Sequence, residues 1–570
     1  MDAISNIIQA LTTFIETYVV RPQWLIVALL STGLYLTLRL LFVQIRCFAH
    51  GVAVTTGKYD DPDEPGDVSH FQALTTALSA TVGVGNIAGV AIAIHWGGPG
   101  ALFWMWMTAF LGMAVKYSEV TLALNYRQIE DSSGKAWQGS VSGGPMYYIE
   151  KGLGKNWKPL AIFFACGLML TSFLTGNAIQ ANTVSDLLHS EFSAPKAVTG
   201  LLTSAFVAAI IFGGIRRIGK VTSVLAPLMA ILYVGGALMI IVMNFEHVLP
   251  AIGSIFSEAF NPKGGVAGVG AGAFAMTALW GVKRGLFSNE AGQGSAPIAH
   301  SAAQTDEPVS EGVVALLEPF IDTLVICTMT GLVLLTSGVW KETHPTDLVL
   351  SSGDITYRMV DAEGFYQDGT APAAIAVIAG EPQYAEGVAQ FSWHEVPVTE
   401  FFTDPEHQAP FTGSIMPEKS MAVDGNGKEY PVLYGNAVEN SAPLTTIAFQ
   451  RHLGRWGAMI VVLCVALFAV STAISWSYYG DRCANYLMGT KAIIPFKVVY
   501  IGFHFLGAIL SLNVIWNFGD VALSLVTIPN LVALVLLSGT VAKLTKSYFE
   551  RKPWVENEEK HKQLKASGKL

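Results

Sequence analysis

The chain has 570 residues, 52% of them hydrophobic and only 14% charged, where soluble domains carry about 25% charged residues. That deficit excludes an ordinary water-soluble enzyme, and a formal net charge of -9 leaves no basic face for nucleic acid. The five cysteines (Cys47, Cys166, Cys327, Cys464 and Cys483) lie in or beside apolar segments without a CxxC spacing, which excludes a disulfide framework or zinc site.

In chain order, residues 1–20 come first, with Ile4, Ile7, Ile8, Leu11, Phe14, Ile15, Tyr18 and Val19 at helical spacing. That pattern predicts an interfacial amphipathic helix. The stretch has neither a positive n-region nor a small-residue cleavage site, so no removable signal peptide is expected. Residues 21–50 hold the first of eleven stretches long enough to cross a bilayer, Trp24–Val43. Phe71–His95, Ala101–Tyr126, Pro159–Leu188, Val198–Ile215 and Val221–Met243 follow, within residues 71–243. Gly268–His300 and Gly312–Gly338 lie within 268–340, and Gly457–Asn485, Phe496–Asn513 and Val521–Val541 within 455–541. An acidic insertion occupies 341–454, and a basic tail 542–570.

Basic residues set the orientation. Arg46, Lys58, Arg127, Lys135, Lys151, Lys155, Lys158, Arg216, Arg217, Lys220, Lys491, Lys497 and the tail fall on one set of connections. The other short connections hold little beyond Arg21, Lys196 and Lys263. The expectation is a multi-pass protein of the cell (inner) membrane, with the N-terminus and the insertion outside and the C-terminus cytoplasmic.

Without the first span, ten remain as two sets of five with opposite topology. The first helix of each set is interrupted: Phe71–His95 at Thr81-Val82-Gly83-Val84-Gly85-Asn86, and Gly268–His300 around Gly281-Val282-Lys283-Arg284-Gly285. Paired interruptions in two halves point to a midplane binding site. A helix broken inside a bilayer frees backbone groups that protein, ion or substrate must satisfy. Freed N–H groups suit a carboxylate, and freed carbonyls suit a cation.

Several longer motifs now bear on identity. They are Gly83-Val84-Gly85-Asn86-Ile87-Ala88-Gly89, Gly97-Gly98-Pro99-Gly100-Ala101-Leu102-Phe103-Trp104-Met105-Trp106 and Lys116-Tyr117-Ser118-Glu119-Val120-Thr121-Leu122-Ala123. Gly285-Leu286-Phe287-Ser288-Asn289-Glu290-Ala291-Gly292-Gln293-Gly294 and Trp476-Ser477-Tyr478-Tyr479-Gly480 join them. Together they resemble the alanine or glycine:cation symporter family over nearly all the membrane-embedded chain. The resemblance implies an all-α polytopic fold, the leucine-transporter-like five-plus-five inverted repeat with one extra N-terminal helix. The insertion departs from it, because this connection is usually short in the family.

By that resemblance, the backbone at Thr81, Val84 and Gly85, with Asn86, would hold the substrate's carboxylate and amine. The carbonyls of Ser79 and Val82 and the hydroxyls of Ser471 and Thr472 would form a sodium site, with Thr472 alone as an alternative alignment. Thr277 and Trp280 would line the pocket, and Asn177 and Gln180, three apart on one helix face, could bond the substrate. The competing structural readings are close packing at Gly83 and Gly85, hydroxyl back-bonding at Ser471 and Thr472, and inter-helix bonds at Asn177 and Gln180. Lys283, Arg284 and Glu290 are candidate gate residues, because charge at that depth is costly. Lys116 and Glu119 are expected as a pair snorkelling toward the interface. Asp322 and Asp520 receive no role.

Within the insertion, Asp424-Gly425-Asn426-Gly427 lacks the spacing of a calcium loop and is expected as a turn in a small β-containing element. No HExxH, GxSxG or Walker loop is present, which argues against an enzyme or a primary pump. The expected function is symport of a small neutral amino acid, alanine or glycine, with sodium as coupling ion. The expectation includes no cofactor, no obligate protein partner and a lipid bilayer around the chain. Proton coupling is the alternative; some superfamily members place a lysine in the fifth core helix where sodium would sit, and Val221–Met243 has no basic residue.

Overall fold

A computed structural model describes residues 24–130, 140–262, 271–352, 354–360, 366–385, 387–394, 396–510 and 513–567. The expected interfacial helix of residues 1–20 lies outside them, as does the side chain of Asp520.

Helices occupy each of the eleven apolar stretches. They are α1 (Trp24–Arg39), then α2 (His70–Thr81) bent into α3 (Gly85–Gly97), and α4 (Gly100–Asn125). Next come α5 (Lys158–Phe173), joined through a π-helical turn at Leu174–Ala178 to α6 (Ile179–Phe192), then α7 (Lys196–Ile211) and α8 (Gly214–Met243). A short helix that the apolar pattern did not mark, α9 (Phe245–Glu258), precedes α10 (Ala271–Asn289) and α11 (Ala296–His300). The series closes with α12 (Pro308–Ser337), α13 (Ser441–Met488, kinked at Gly454), α14 (Ile493–Ile509) and α15 (Asn513–Arg551).

Among the described residues, six helices are individually long and apolar enough to cross a membrane, and the bent pair α2–α3 makes a seventh. Shorter α1 and α7 are also apolar. The helices within expected spans Ala101–Tyr126 and Gly268–His300, namely α4, α10 and α11, fall below that test. The first is α4, most of whose residues are buried by protein, so its polar side chains need not face lipid.

The first interruption lies where the glycines are. Ser69 caps α2 in a reciprocal capping box with Gln72, and the helix runs to Thr81. Val82 is then extended (φ -70°, ψ 99°), and α3 leaves at a 56° bend. The Asn86 side-chain oxygen accepts from the Gly83 N–H at 2.8 Å, so it caps the second half from within the motif.

The second interruption is not at Gly281–Gly285, which corrects the sequence-based expectation. α10 runs through that segment, and the chain breaks after it, where Glu290, Gly292 and Gly294 take positive φ (53°, 91° and 79°). The reason is close packing. A Cβ on Gly281 would lie 2.3 Å from the Ala101 carbonyl oxygen, and one on Gly285 2.1 Å from Thr108 Oγ1. These glycines let α10 lie against α4 and leave the helix intact.

The insertion is a β element within 343–438. Antiparallel strands Thr343–Val349 and Val432–Val438 close its base, pairing Thr343 with Val438 through Val349 with Val432. A five-stranded and a four-stranded antiparallel sheet stand on that base around Phe391, Phe401, Phe411 and Ile415. The element ends at Asn440, short of the expected 454, because α13 begins at Ser441. Asp424-Gly425-Asn426-Gly427 is a turn: Asp424 Oδ1 accepts from the N–H groups of Asn426 and Lys428, each at 2.9 Å. Those bonds, led by the one from Lys428, hold its carboxyl below the usual range.

The basic tail is also folded. α15 continues to Arg551, and α16 (Pro553–Ala566) docks on the loop before α2, with Lys560 Nζ 2.5 Å from Asp61 and 2.9 Å from Asp63. This is the end of the bundle opposite the insertion.

Candidate functional site

The break between α2 and α3 faces a central cavity of about 100 Å³, lined by Thr81, Val84 and Gly85 from the break itself. A hollow of this size suits a solute of a few heavy atoms. Gln180 and Thr175 line it from α6 and the π-helical turn before it, and Phe287, Glu290, Thr472 and Trp476 from the other side. Its wall is mostly apolar but holds orphaned polar atoms: Gln180 Oε1 and Thr175 Oγ1 are buried without hydrogen-bond partners. Unpaired buried groups are costly, so a polar ligand that meets them is favoured.

One wall brings several oxygens together. Ser471 Oγ lies 3.4 Å and Thr472 Oγ1 3.2 Å from the Ser79 carbonyl, and Thr472 Oγ1 is 3.5 Å from the Ala80 carbonyl. Oxygens held about 2.4 Å from a hard cation at right angles stand about 3.4 Å apart, so the spacing fits. The Ser79 hydroxyl is also buried without a partner. Back-bonding is real here as well, since Ser471 donates to the Phe468 carbonyl at 2.9 Å. Val82 is the first extended residue after α2, beside this cluster. Thr472 also borders the central cavity, so this cluster adjoins it.

Asn86 does not line the cavity, contrary to expectation. Its amide lies behind the break and donates to Asp322 Oδ1 (2.6 Å), the Asp322 carbonyl (3.1 Å) and Ser288 Oγ (3.0 Å). Ser288 and Thr323 donate to the other Asp322 oxygen at 2.6 and 2.7 Å. Asp322, which sequence reasoning left without a role, thus ties both broken helices to the π-helical turn Phe320–Cys327 of α12.

Asn177 is likewise displaced from the cavity. Its amide donates to the Tyr500 carbonyl at 2.7 Å and its oxygen faces His504 Nδ1 at 2.7 Å, so it joins α14 to the π-helical turn. Thr277 is fully buried and donates to the Gly97 carbonyl at 2.8 Å, a bond between α10 and α3. Trp280 lies further out, stacked on Trp96 with centroids 5.2 Å apart and an interplanar angle of 7°.

Arg284 borders both the central cavity and a larger outer one of about 800 Å³. Its guanidinium packs over Trp280 and Phe287, with Lys283 Nζ 5.2 Å from the Trp280 ring centre. The far wall of the outer cavity is the insertion, through Asp347, Asp354, Trp393 and His394. His394 offers its carbonyl to His95 Nε2 at 2.9 Å, so the insertion is docked on α3. Glu290, at the second break, accepts from Ser295 Oγ at 2.5 Å.

At the opposite end two loops are tied together by one arginine. Arg127 donates to the carbonyls of Pro65, Ser301, Ala303 and Thr305, binding the loop before α2 to the segment after α11. Lys116 does not snorkel: it is fully buried and pairs with Glu318 at 3.0 Å. Helix α4 is covered along that face by α12, so a lysine there has no route to water and needs a buried carboxylate.

Trp476 was legible only as part of a motif, and Phe287 likewise. Thr175 had no signal at all, because its position depends on the π-helical turn.

The model of the sodium:alanine symporter family matches residues 1–364 and 430–564, passing over 365–429 inside the insertion. A sodium/alanine symporter, AgcS, from Methanococcus maripaludis is 38% identical over 544 residues, 95% of this chain and 97% of that protein. Two proteins of Bacillus subtilis are each 30% identical. GlnT, named a sodium/glutamine symporter, matches over 93% of this chain and 88% of its own length. YrbD, named a sodium/proton-dependent alanine carrier protein, matches over 92% and 89%.

Proposed function

The chain belongs to the sodium:alanine symporter family, multi-pass membrane transporters and not enzymes, and on that premise we propose that it takes up a small neutral amino acid, alanine or glycine, together with sodium by alternating access. The observation that carries the sodium reading is the convergence of Ser471, Thr472 and the Ser79 carbonyl beside the cavity. The small volume of that cavity, and the absence of a charged wall beyond Arg284 and Glu290 among the described residues, favour a short uncharged side chain. The two breaks, at Val82–Val84 and after Asn289, support a five-plus-five inverted repeat preceded by α1, with eleven spans. Arg284 and the Trp96–Trp280 stack act as the outer gate in this reading. The end with Arg127, Arg216 and α16 faces the cytoplasm, and the insertion faces outward.

The alternative, proton coupling, draws on the name of YrbD. Uptake into proteoliposomes under an imposed sodium gradient, compared with an imposed proton gradient, separates the two. The panel is alanine, glycine, serine, D-alanine and glutamine. Uptake driven by protons alone would overturn the sodium reading.

Thr472→Ala removes one oxygen from the cation cluster. Loss of one hydrogen-bonding oxygen is worth about 1.4 kcal/mol, so the sodium concentration for half-maximal uptake rises about tenfold. A sodium titration of uptake measures it, and an unchanged midpoint takes Thr472 out of the ion site.

A further inference from the structure

Glu290 borders the central cavity, yet the buried charges beyond it extend far past any need of an amino-acid pocket. From Asp60, whose side chain is 34% exposed at the end opposite the insertion, a file of titratable groups runs inward. Asp60 Oδ1 lies 4.0 Å from His70 Nε2. The other nitrogen of His70, Nδ1, meets Glu311 Oε2. The other oxygen of Glu311, Oε1, lies 2.5 Å from His300 Nδ1. His300 Nε2 stands 3.6 Å from Glu318 Oε1, and Glu318 Oε2 3.0 Å from Lys116 Nζ. Lys116 in turn feels Glu119 and Glu290 electrostatically, with neither carboxylate within ion-pair distance of it.

Each of the four middle groups therefore shows one atom to the neighbour on one side and its second atom to the neighbour on the other. A structural ion pair needs no such arrangement. A proton wire does, because an imidazole or carboxyl that gains a proton on one atom can release a different one from the other. The links at 3.6 and 4.0 Å, and the last one from Lys116 to Glu290, are longer than hydrogen bonds, so a side-chain or helix movement makes or breaks them. Such movement is available, because His70 begins α2, His300 ends α11, Glu311 and Glu318 lie on α12 and Lys116 on α4. The wire crosses the interfaces between the two broken helices and their neighbours, which are the elements that alternating access displaces.

We propose that Asp60, His70, Glu311, His300, Glu318 and Lys116 conduct a proton between the cytoplasmic mouth of the protein and Glu290 in the substrate cavity, so that the cycle moves a proton besides amino acid and sodium. This rests on the symporter reading and on the orientation given above. Each transfer conserves charge and atoms: a proton enters a carboxylate oxygen or ring nitrogen on one side and another leaves from the opposite atom. At the inner end, a movement that brings Lys116 to Glu290 lets it pass a proton there and regain one from Glu318. The surrounding charges bear on the path as well. Glu64 faces His70; His561 faces Asp60; Arg127 and Asp60 act on Glu311; Glu318 and Asp322 act on Glu290; and Glu119, which accepts from Asn530 at 2.5 Å, faces Lys116 and Glu318.

The test uses the full chain in proteoliposomes with a luminal pH dye, equal pH on both sides and the membrane potential clamped to zero. Sodium is supplied with labelled alanine, or with whichever amino acid of the panel is taken up. The expected result is a luminal pH change that requires both sodium and amino acid. His300→Gln and Glu311→Gln should lower protons moved per amino acid about tenfold or more, as loss of a proton-transfer group does. Where either interior variant fails to fold, Asp60→Asn at the partly exposed mouth should slow the same pH change. Sodium-driven uptake with a silent pH dye overturns the proposal, as does an unchanged proton-to-substrate ratio in the folded variants. Absence of sodium-driven uptake is a different outcome, which overturns the symporter reading itself.

Discussion

Gly85→Leu abolishes amino-acid binding while the protein still inserts and folds, and equilibrium binding of labelled alanine to the purified variant reads this directly. Gly85 stands at the start of α3, on the wall of the central cavity. A Cβ at this position would already lie 3.2 Å from Phe287 Cδ1 and 3.4 Å from Cε1. Leucine adds three further carbons, and the direction open to them is a hollow of about 100 Å³. Overfilling a packed space costs about 3 kcal/mol, which would weaken binding more than a hundredfold. The fold is spared because the backbone at Gly85 is helical, so the position does not demand glycine for its dihedral angles. Normal affinity in this variant would show that the amino acid binds elsewhere.

A second large effect is expected from Asn86→Ala, and here the loss falls on stability before it falls on transport. The substitution leaves the Gly83 N–H without its acceptor and removes a donor from Asp322, all of it buried. Asp322 keeps Ser288 and Thr323, so its charge is not wholly abandoned. An unsatisfied buried amide and a weakened buried carboxylate together cost about 2–4 kcal/mol. Thermal unfolding of the detergent-solubilised protein should shift down accordingly, and Asn86→Asp should not restore it, because a second carboxylate would face Asp322. An Asn86→Ala variant as stable as the parent would mean that water fills the gap, and the bend between α2 and α3 would then need another cause.

Both expectations turn on distinctions that one-dimensional reading blurred. The motif Gly83-Val84-Gly85-Asn86 marked the first break at its true place, since two glycines and an asparagine in an apolar run have few other uses. By motif alone the neighbours Gly85 and Asn86 share one role. In the folded protein they diverge, because successive residues of a tight helical turn point about 100° apart, one toward the cavity and one toward α12. Asn177 and Gln180 were paired by the same spacing argument, yet the π-helical turn at Leu174–Ala178 shifts the helix face between them. Gln180 then lines the cavity, while Asn177 bonds α14.

Glycine also misled at Gly281 and Gly285. A close helix crossing and a helix break call for the same residue, and only the approach of α4 tells them apart. The true second break has its own signal in Glu290-Ala291-Gly292-Gln293-Gly294, where two glycines take positive φ. That signal was visible, but the earlier pair obscured it.

What the amino-acid order determined alone is the class of molecule: apolar runs of membrane length, the first interruption and the foreign character of the acidic insertion. These are local or compositional properties, set by the transfer of side chains and backbone from water to lipid. What only the tertiary structure decided is which polar group faces which. Lys116 with Glu318, Asn86 with Asp322, Ser471 with the Ser79 carbonyl and the file from Asp60 to Lys116 join residues from tens to hundreds of positions apart. A buried charge must find its partner wherever the packing of helices brings one within a few ångströms, and no periodicity along a single helix carries that information.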